Sequence, residues 1–223
     1  MADYAVPSAG VFPAHLLREA LADGLIAVPS GTEPAVQPAS IDLHLGEVAH
    51  RLRCSFLPDS THTVEQRLEE FAMDSVDLRG GGVLERNRPY LIPLREELVL
   101  APNVRAKANP KSSTGRVDVF TRVITDRSYR FDEVSEGYQG KLYLEVVSST
   151  FTIKVHPGLA LNQLRLMAGH AEVGETDLAA KHPDLVRKLA RTTDQWLRQE
   201  HPTWQPKFPI DKNTGKPAAP PAL

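Results

Sequence analysis

The sequence predicts a mainly β domain, built as a barrel or jelly roll, with a helix before it and a helical tail after it. From residue 89 to 167, short apolar runs alternate with turns rich in Pro, Gly and Asn, which is typical of many short strands. Helical periodicity of apolar residues flanks this region at 11–27 and 176–200. A chain of 223 residues is long enough for one sizeable domain and an appendage.

The N-terminal half contains elements with clear local patterns. Residues 11–27 repeat apolar side chains at helical spacing and predict an amphipathic helix. Residues 41–46 alternate apolar and polar side chains and predict a strand, with residues 49–56 as its expected hairpin partner. The polar, glycine-rich stretch at 57–88 predicts a long excursion with a short helix at 64–72.

The second half contains the strand-like runs, each bounded by turn residues. They are residues 90–94, 97–100, 117–120, 123–124, 142–147, 151–155 and 161–167. We therefore expect a β domain at residues 1–169, a helical extension at 170–205 and a flexible proline-rich tail at 206–223.

Composition and charge narrow the possible partners and the compartment. The net charge of -2 gives no indication of nucleic-acid or membrane partners. The first residues lack a basic and apolar leader, and no run is long enough to span a bilayer. Cys54 is the single cysteine, so no disulfide forms within the chain. These features predict a cytoplasmic protein.

A protein-bound zinc site is not expected. Zinc-dependent deaminases take three Cys or His ligands and a glutamate from H-x-E and P-C-x-x-C segments, which one cysteine cannot supply. The eight histidines include no pair at i, i+4 spacing beside a glutamate. Any hydrolysis by this chain is therefore predicted to proceed without a metal held by the protein.

Residues 111–116 combine two cations, three hydroxyls and a glycine, the groups that hold a phosphate chain. In this interpretation Ser112 and Ser113 hold a water molecule and phosphates, while Arg116 stabilises developing negative charge. The spacing is not that of a P-loop. The alternative is an ordinary solvated loop between two strands, because this composition is common in loops.

Glu145 is the candidate acid–base group. It lies within the apolar run 142–147, where a carboxylate is costly unless it has a partner or a chemical role. Burial favours the protonated form of a carboxyl group, which suits a residue that takes and returns protons. Together with residues 111–116, it indicates chemistry on a nucleotide. The alternative is that Glu145 faces solvent from the polar side of its strand.

Three further polar residues have more than one interpretation. Gln163 offers an amide that is suited to read a base edge, although a strand amide without a ligand fits its position equally well. We interpret Asp42 as a structural carboxylate that accepts backbone N–H bonds. His44 is interpreted as a strand histidine rather than a metal ligand, because no metal-binding cluster surrounds it in sequence.

Four segments, in this order, resemble the dCTP deaminase family of the trimeric dUTPase-like superfamily. They are residues 36–46 (Val-Gln-Pro-Ala-Ser-Ile-Asp-Leu-His-Leu-Gly), 111–116 (Lys-Ser-Ser-Thr-Gly-Arg), 137–145 (Gly-Tyr-Gln-Gly-Lys-Leu-Tyr-Leu-Glu) and 157–164 (Pro-Gly-Leu-Ala-Leu-Asn-Gln-Leu). The resemblance runs from residue 12 to residue 167, and it is strongest to the N-terminal half of tandem-domain dCTP deaminases.

This resemblance implies a jelly-roll-like, dUTPase-type β-barrel that forms a homotrimer, with active sites between subunits. It implies hydrolysis of dCTP to dUTP and ammonia, with Mg²⁺ bound through the substrate triphosphate. Glu145, Ser112 and Arg116 match catalytic positions of the family. The matching substrate-binding positions are Lys111 and Ser113 at the triphosphate, the Thr125 backbone at the water and Gln163 at the nucleotide. Asp132, in a segment that departs from the family pattern, is the candidate for the family's sugar-binding aspartate.

The chain departs from the family pattern most clearly at residues 125–136, a segment that is longer than usual and lacks the family's proline. Val117 and Asp118 also replace the Leu-Gly pair that usually follows the arginine. Two alternatives therefore stay open. One is a dUTP diphosphatase, or a bifunctional deaminase and diphosphatase; the other is a nucleotide-binding homologue without catalysis.

Overall fold

Two large antiparallel sheets dominate the computed structural model of the protein, which describes residues 10–29 and 34–169 and, beyond them, residues 184, 187, 188 and 191. The helices are α1 (Ala14–Ala22), α2 (Val64–Phe71) and α3 (Ser112–Arg116). The strands are β1 (Gly10–Val11), β2 (Ile26–Ala27), β3 (Ile41–His44), β4 (Val48–Leu52), β5 (Ala72–Asp77), β6 (Gly82–Leu84), β7 (Tyr90–Val99), β8 (Val104–Pro110), β9 (Val119–Ile124), β10 (Glu133–Val134), β11 (Gln139–Ser148), β12 (Ile153–Val155) and β13 (Ala160–Ala168).

The strands form sheets of five, six and two members. The five-stranded sheet has the order β1-β13-β8-β10, and β3 also pairs with β13. The six-stranded sheet has the order β5-β4-β7-β11-β9, and β2 also pairs with β7. Within the described residues the strand order of neither sheet closes on itself, so the sheets stay open instead of forming one closed barrel. The predicted mainly β fold with an N-terminal helix is confirmed.

The main hydrophobic core contains side chains from both large sheets. Leu166 on β13 and Leu144 on β11 belong to the same buried cluster. A second buried cluster contains Tyr143, the neighbour of Leu144, together with Leu52, Phe56, Val64, Leu91 and Ile124. Because successive side chains of a strand point to opposite faces, Glu145 shares the face of Tyr143 and not that of Leu144.

Helix α1 is shorter than the helix predicted at 11–27. Pro13 immediately precedes it, and Gly24 follows it with a φ of +76°, a left-handed conformation that glycine adopts easily at a helix end. The next residues form β2, which pairs with β7. The last part of the predicted helix is therefore a strand, because pairing with a neighbouring strand outweighs local helical periodicity there.

The predicted hairpin between residues 41–46 and 49–56 is wrong. Strand β3 pairs with β13 in one sheet, whereas β4 pairs with β5 and β7 in the other. Between them, Gly46 donates its backbone N–H to the carbonyl of Pro93 at 2.9 Å. The turn at Gly46 thus carries the chain from one sheet to the other rather than folding it back on itself.

Two other local predictions differ from the structure in extent, and one strand was not predicted. The region 57–88 contains β5 and β6 as well as the predicted helix, which begins at a capping box between Thr63 and Gln66. The runs predicted at 90–94 and 97–100 form the single strand β7, and the register of β11 shifts near Pro93, which lacks an N–H to donate. Strand β8 has no predicted counterpart, because its small and charged residues carry little apolar signal.

The chain divides into two compact units, Met1–Ala171 and Glu172–Leu223. The helices and strands above belong to the first unit. In the second unit, residues 184, 187, 188 and 191 are helical, and the rest of the predicted helical extension and the proline-rich tail lie outside the described residues. Among the described helices, none combines the length and the apolar character that a membrane span requires.

Candidate active site

A cavity of about 440 Å³ lies where β3, β13 and the start of α3 meet. Its lining comes from residues 37–40 and Asp42, from residues 111–113, and from Gln163 and Arg165. The structure therefore brings together four of the predicted site residues: Lys111, Ser112, Ser113 and Gln163.

Strand pairing places the amide of Gln163 beside β3. In the antiparallel register, Gln163 lies opposite Asp42 on β3 and opposite Asn109 on β8. The hydroxyl of Ser40 donates to Gln163 Oε1 at 3.0 Å and so orients the amide. Among the described residues, Gln163 Nε2 has no acceptor, so it is available to donate to a ligand.

Lys111 connects the cavity to β13 and to Asp42. Its backbone N–H donates to the carbonyl of Leu161 at 3.0 Å, and its ammonium group forms an ion pair with Asp42 Oδ2. The other carboxylate oxygen, Asp42 Oδ1, is buried and has no hydrogen-bond partner within the described part of the chain. Asp42 thus lines the cavity and pairs with a lysine, whereas the sequence predicts a structural carboxylate bound to backbone N–H groups.

The charges and donors around the cavity suit an anionic ligand. Lys111 and Arg165 contribute two positive charges against the single negative charge of Asp42. Arg165 Nη1 donates to Asn109 Oδ1 at 2.9 Å, which leaves other guanidinium N–H groups for a ligand. Two cations, serine hydroxyls and an amide are the groups that bind phosphate chains and polar base edges.

Helix α3 replaces the open loop that the composition of residues 111–116 also allows. Thr114 is buried, and its hydroxyl donates to the Leu161 carbonyl at 2.9 Å, which fixes the helix on β13. Ser112 and Ser113 are exposed and line the cavity. Arg116 is exposed at the end of the helix, does not line the cavity and makes no side-chain hydrogen bond to the described residues.

Glu145 lies in a different group of residues. Its side chain is only 1 % exposed, so it does not face solvent. Both Nε, at 3.0 Å, and Nη2 of Arg122 donate to Glu145 Oε1. Glu145 Oε2 is buried and has no hydrogen-bond partner among the described residues. One carboxylate oxygen is therefore paired, and the other can accept a hydrogen bond that the described residues do not supply.

Asp132 is linked to Glu145 through Arg122, whose charge acts on Asp132 and whose guanidinium pairs with Glu145. Its backbone has a φ of +62°, and its Oδ1 accepts the N–H of Val123 at 2.8 Å. Burial raises the pKa of the Asp132 carboxyl group, while the bond from Val123 and the charge of Arg122 oppose that rise. Thr125, which follows β9, is also buried.

The predicted site residues lie in two separate groups within one chain. Glu145 and Asp132 do not line the cavity that contains Lys111 and Gln163. Within residues 10–29 and 34–169, no hydrogen bond or ion pair joins the two groups. The residues predicted to bind phosphates and the residue predicted to act as acid and base therefore lie apart within one chain.

Sequence reasoning missed Arg122 and Arg165 as site residues. Arg122 is one charged residue in the strand β9, and its position opposite Glu145 depends on the β9–β11 register. Arg165 lines the cavity because it lies two residues after Gln163 on β13, and side chains two positions apart on a strand share a face. The sequence predicts this only when the face of β13 that lines the cavity is known. No cluster of three or more His, Cys, Asp or Glu residues suited to a metal ion occurs among the described residues.

Comparison with known proteins identifies the family to which this arrangement corresponds. Residues 8–170 match the family model of the 2'-deoxycytidine 5'-triphosphate deaminase (DCD) N-terminal domain. A dCTP deaminase from Natronomonas pharaonis is 26% identical over 152 residues, which are 66% of this chain and 75% of the relative. A "dCTP deaminase, dUMP-forming" from Methanobrevibacter smithii is 24% identical over 151 residues, with the same coverage.

A solved structure extends the likeness from sequence to fold. The crystal structure of 2'-deoxycytidine 5'-triphosphate deaminase from Agrobacterium tumefaciens superimposes with a TM-score of 0.73 and 40% sequence identity. The match covers 79% of this chain and 53% of that chain, so this chain corresponds to about half of the Agrobacterium protein. Because the family model spans most of the sequence and the fold agrees, the protein belongs to the dCTP deaminase family, by way of its N-terminal domain.

Proposed function

We propose that this protein hydrolyses dCTP to dUTP and ammonia, without a protein-bound zinc, and so supplies deoxyuridine nucleotides for pyrimidine deoxynucleotide synthesis. The observation that carries the proposal is the state of Glu145. Its carboxylate is 1 % exposed, Oε1 is held by Arg122, and Oε2 is left without a partner among the described residues. Membership of the family supports the same reaction.

In the proposed reaction, a water molecule held by Ser112 and the Thr125 backbone adds to C4 of cytosine. Glu145 takes a proton from this water as the C4–O bond forms, and Arg116 stabilises the developing charge. Glu145 then gives this proton to the amino group as the C4–N bond breaks and ammonia leaves, and the second proton of the water moves from the new C4 hydroxyl to N3, which gives uracil. The buried position of Glu145 excludes bulk water from the proton that it transfers.

We propose that a second copy of the chain completes each site. Lys111, Ser112, Ser113 and Gln163 of one copy bind the triphosphate and the base, and Glu145 of another copy supplies the acid–base group. This arrangement follows from the separation of the two groups within one chain and accounts for the exposed Arg116. A homotrimer with three such interfaces is the assembly that the family resemblance implies.

Two further residues complete the nucleotide site in this proposal. Asp132 contacts the sugar, since it lies in the Glu145 group and carries an oxygen, Oδ2, beyond the one bonded to Val123. The unpartnered Oδ1 of Asp42 is a hard oxygen ligand in the phosphate-binding cavity, which fits Mg²⁺ carried by the triphosphate. When bound, the ion neutralises phosphate charge.

The test uses the purified full chain with dCTP and Mg²⁺ and separates the products. Wild-type protein is expected to release equal amounts of ammonia and dUTP. Glu145→Gln removes the proton acceptor with little change in shape, so kcat should fall by about 10²–10⁴-fold while the trimer is retained. Glu69→Gln makes the same chemical change on the exposed face of α2 and should leave kcat unchanged. Full turnover in Glu145→Gln would refute the mechanism.

A bifunctional enzyme is the second candidate, since one relative is named a dUMP-forming dCTP deaminase. In that reaction an aspartate-activated water attacks the α-phosphate, and Asp132 is the available carboxylate. Pyrophosphate release from dCTP or dUTP in the same assay identifies this activity. Nucleotide binding by calorimetry without any ammonia or pyrophosphate identifies a non-catalytic homologue.

A further inference from the structure

We propose that Arg122 is a positioning residue for Glu145, and that Phe131, from the segment in which this chain departs from its family, holds Arg122 in place. The proposal rests on the proposed function, because it assigns Glu145 the acid–base role. In this proposal Arg122 orients the Glu145 carboxylate and supplies the positive charge beside it. The contacts that Arg122 and Phe131 make support it.

The strand register makes Arg122 the cross-strand neighbour of Glu145. In the six-stranded sheet, Glu145 on β11 lies opposite Arg122 on β9 and opposite Leu91 on β7. One neighbour is therefore a cation and the other an apolar side chain. A buried carboxylate in this position has its ionised form stabilised from one side only.

The guanidinium gives the two carboxylate oxygens different roles. Nε and Nη2 of Arg122 both donate to Glu145 Oε1, which prevents the carboxylate from rotating. Oε2 remains the acceptor that has no partner among the described residues. Arg122 thus determines which oxygen receives the proton of the water.

Arg122 is itself fixed at two further points. Its Nη2 donates to Ser55 Oγ at 3.0 Å, and its guanidinium carbon lies 4.0 Å from the centroid of the Phe131 ring. This distance is within the range of a cation–π contact, and a planar guanidinium stacks well on an aromatic face. Phe131 belongs to the segment 125–136, so this unusual segment has a defined contact with the site.

Three other titratable groups near Glu145, which are His50, Tyr143 and Asp132, do not supply a positive charge in place of Arg122. His50 on β4 is the partner of Leu91 in the register, and burial lowers its pKa, so it is neutral at pH 7. Burial raises the pKa of Tyr143, whose hydroxyl donates to Glu65 of α2 at 3.1 Å. Asp132 carries negative charge when ionised. The cation that contacts Glu145 is therefore Arg122.

The test compares Arg122→Gln, Arg122→Lys and Phe131→Leu with wild type in the dCTP assay. Arg122→Gln should lower kcat by about 10–100-fold with KM changed less than about threefold, because the substrate contacts remain. Arg122→Lys keeps the charge without the two-point contact, so it should restore only part of kcat.

Phe131→Leu tests the support of Arg122. We expect kcat to decrease by about two- to fivefold, because the variant loses one cation–π contact at a partly exposed site. Arg79→Gln is the matched control, because Arg79 is 69% exposed and pairs only with Asp77 among the described residues. It should leave kcat and KM unchanged. Circular dichroism and light scattering confirm that each variant folds and assembles as wild type does.

A second measurement keeps the proposal testable if wild type forms no product. In protein labelled with ¹³C at the glutamate carboxyl carbon, the Glu145 signal is assigned by its loss in Glu145→Gln. Near neutral pH its chemical shift should change in Arg122→Gln and stay as in wild type in Arg79→Gln, because only the first variant removes the two donors to Glu145 Oε1. An active wild type with an unchanged kcat in Arg122→Gln, or an unchanged chemical shift, overturns the role of Arg122. An inactive wild type with a changed chemical shift overturns only the proposed function.

Discussion

Asp132 offers a quantitative test of how the segment 125–136 is held. Its φ of +62° lies in the left-handed region, which disfavours most L-residues but tolerates Asp and Asn. Its side chain accepts the Val123 N–H at 2.8 Å, and its own N–H and carbonyl bond to Val123 and Ala108. Asp132 therefore connects the end of β9 to β8 by three hydrogen bonds.

Replacement by alanine removes the side-chain acceptor and leaves the backbone strained. An unsatisfied buried N–H costs about 1–3 kcal/mol, and the left-handed conformation costs alanine about 1–2 kcal/mol. Asp132→Ala should therefore lose about 2–5 kcal/mol of unfolding free energy. Asp132→Gly relieves the backbone strain but not the lost bond, so it should lose about 1–2 kcal/mol less than alanine.

Asp132→Asn keeps a side-chain acceptor for the Val123 N–H and tolerates the left-handed backbone. It differs from wild type mainly in charge, so the difference in unfolding free energy between the two proteins should depend on pH. Burial raises the pKa of Asp132 above its ordinary value of 3.8, so the ionised carboxylate destabilises the folded state at neutral pH. That penalty disappears as the pH falls through the raised pKa towards 3.8. Asp132→Asn should therefore be more stable than wild type at pH 7, and the difference should shrink on acidification.

The assay is urea unfolding at a fixed protein concentration, followed by circular dichroism between about pH 7 and pH 4.5. Fixed concentration matters because assembly contributes to apparent stability. If Asp132→Asn loses as much stability at pH 7 as Asp132→Ala, the hydrogen bond and the charge penalty are not what determines stability here. A stability difference that grows on acidification contradicts the assigned direction of the pKa shift.

Two other predictions test the turn between the sheets and the face that carries Glu145. Gly46→Ala should lower the free energy of unfolding by more than about 2 kcal/mol, because a Cβ there would lie 2.5 Å from the Pro93 carbonyl oxygen. Gly80→Ala is the control, since a Cβ at that position meets nothing within 4 Å. Equal melting temperatures of the two variants would contradict this. Burial lowers the pKa of His50, so the unfolded chain binds the proton more readily than the folded one. Wild type should therefore lose stability relative to His50→Gln as the pH falls below about 6.5. Parallel curves of stability against pH for the two proteins would refute this prediction.

The sequence correctly predicted elements whose signals are local. The capping residues Thr63 and Gln66 mark the start of α2, and the apolar run around Leu144 marks β11. The order of the four family segments along the chain predicted the family, and the match of residues 8–170 to the family model confirms it. Local patterns also led to errors where pairing partners are distant, as in the hairpin predicted after residue 46.

The gaps in the prediction have a common physical cause. Strand β8 alternates small buried residues with Arg105 and Lys107, and its pairing with β13 and β10 compensates for its weak apolar signal. Lys111 and Asp42 are 69 positions apart, so their ion pair depends on the meeting of β3 and α3 at the cavity. The sequence shows which residue types are present, but not which distant residues come into contact in the fold.

By itself, the sequence determined the mainly β character, the absence of an internal disulfide and the set of residues that suit nucleotide chemistry. These properties depend on residue type and on local periodicity, which are visible along one chain. Only the tertiary structure decided whether Glu145 faces solvent or protein and which groups lie beside it. The register of β9 and β11 places Arg122 opposite Glu145, and residues around Phe56 and Phe131 pack over the same face. Burial and charge pairing are properties of distant residues brought together, so no local pattern could fix them.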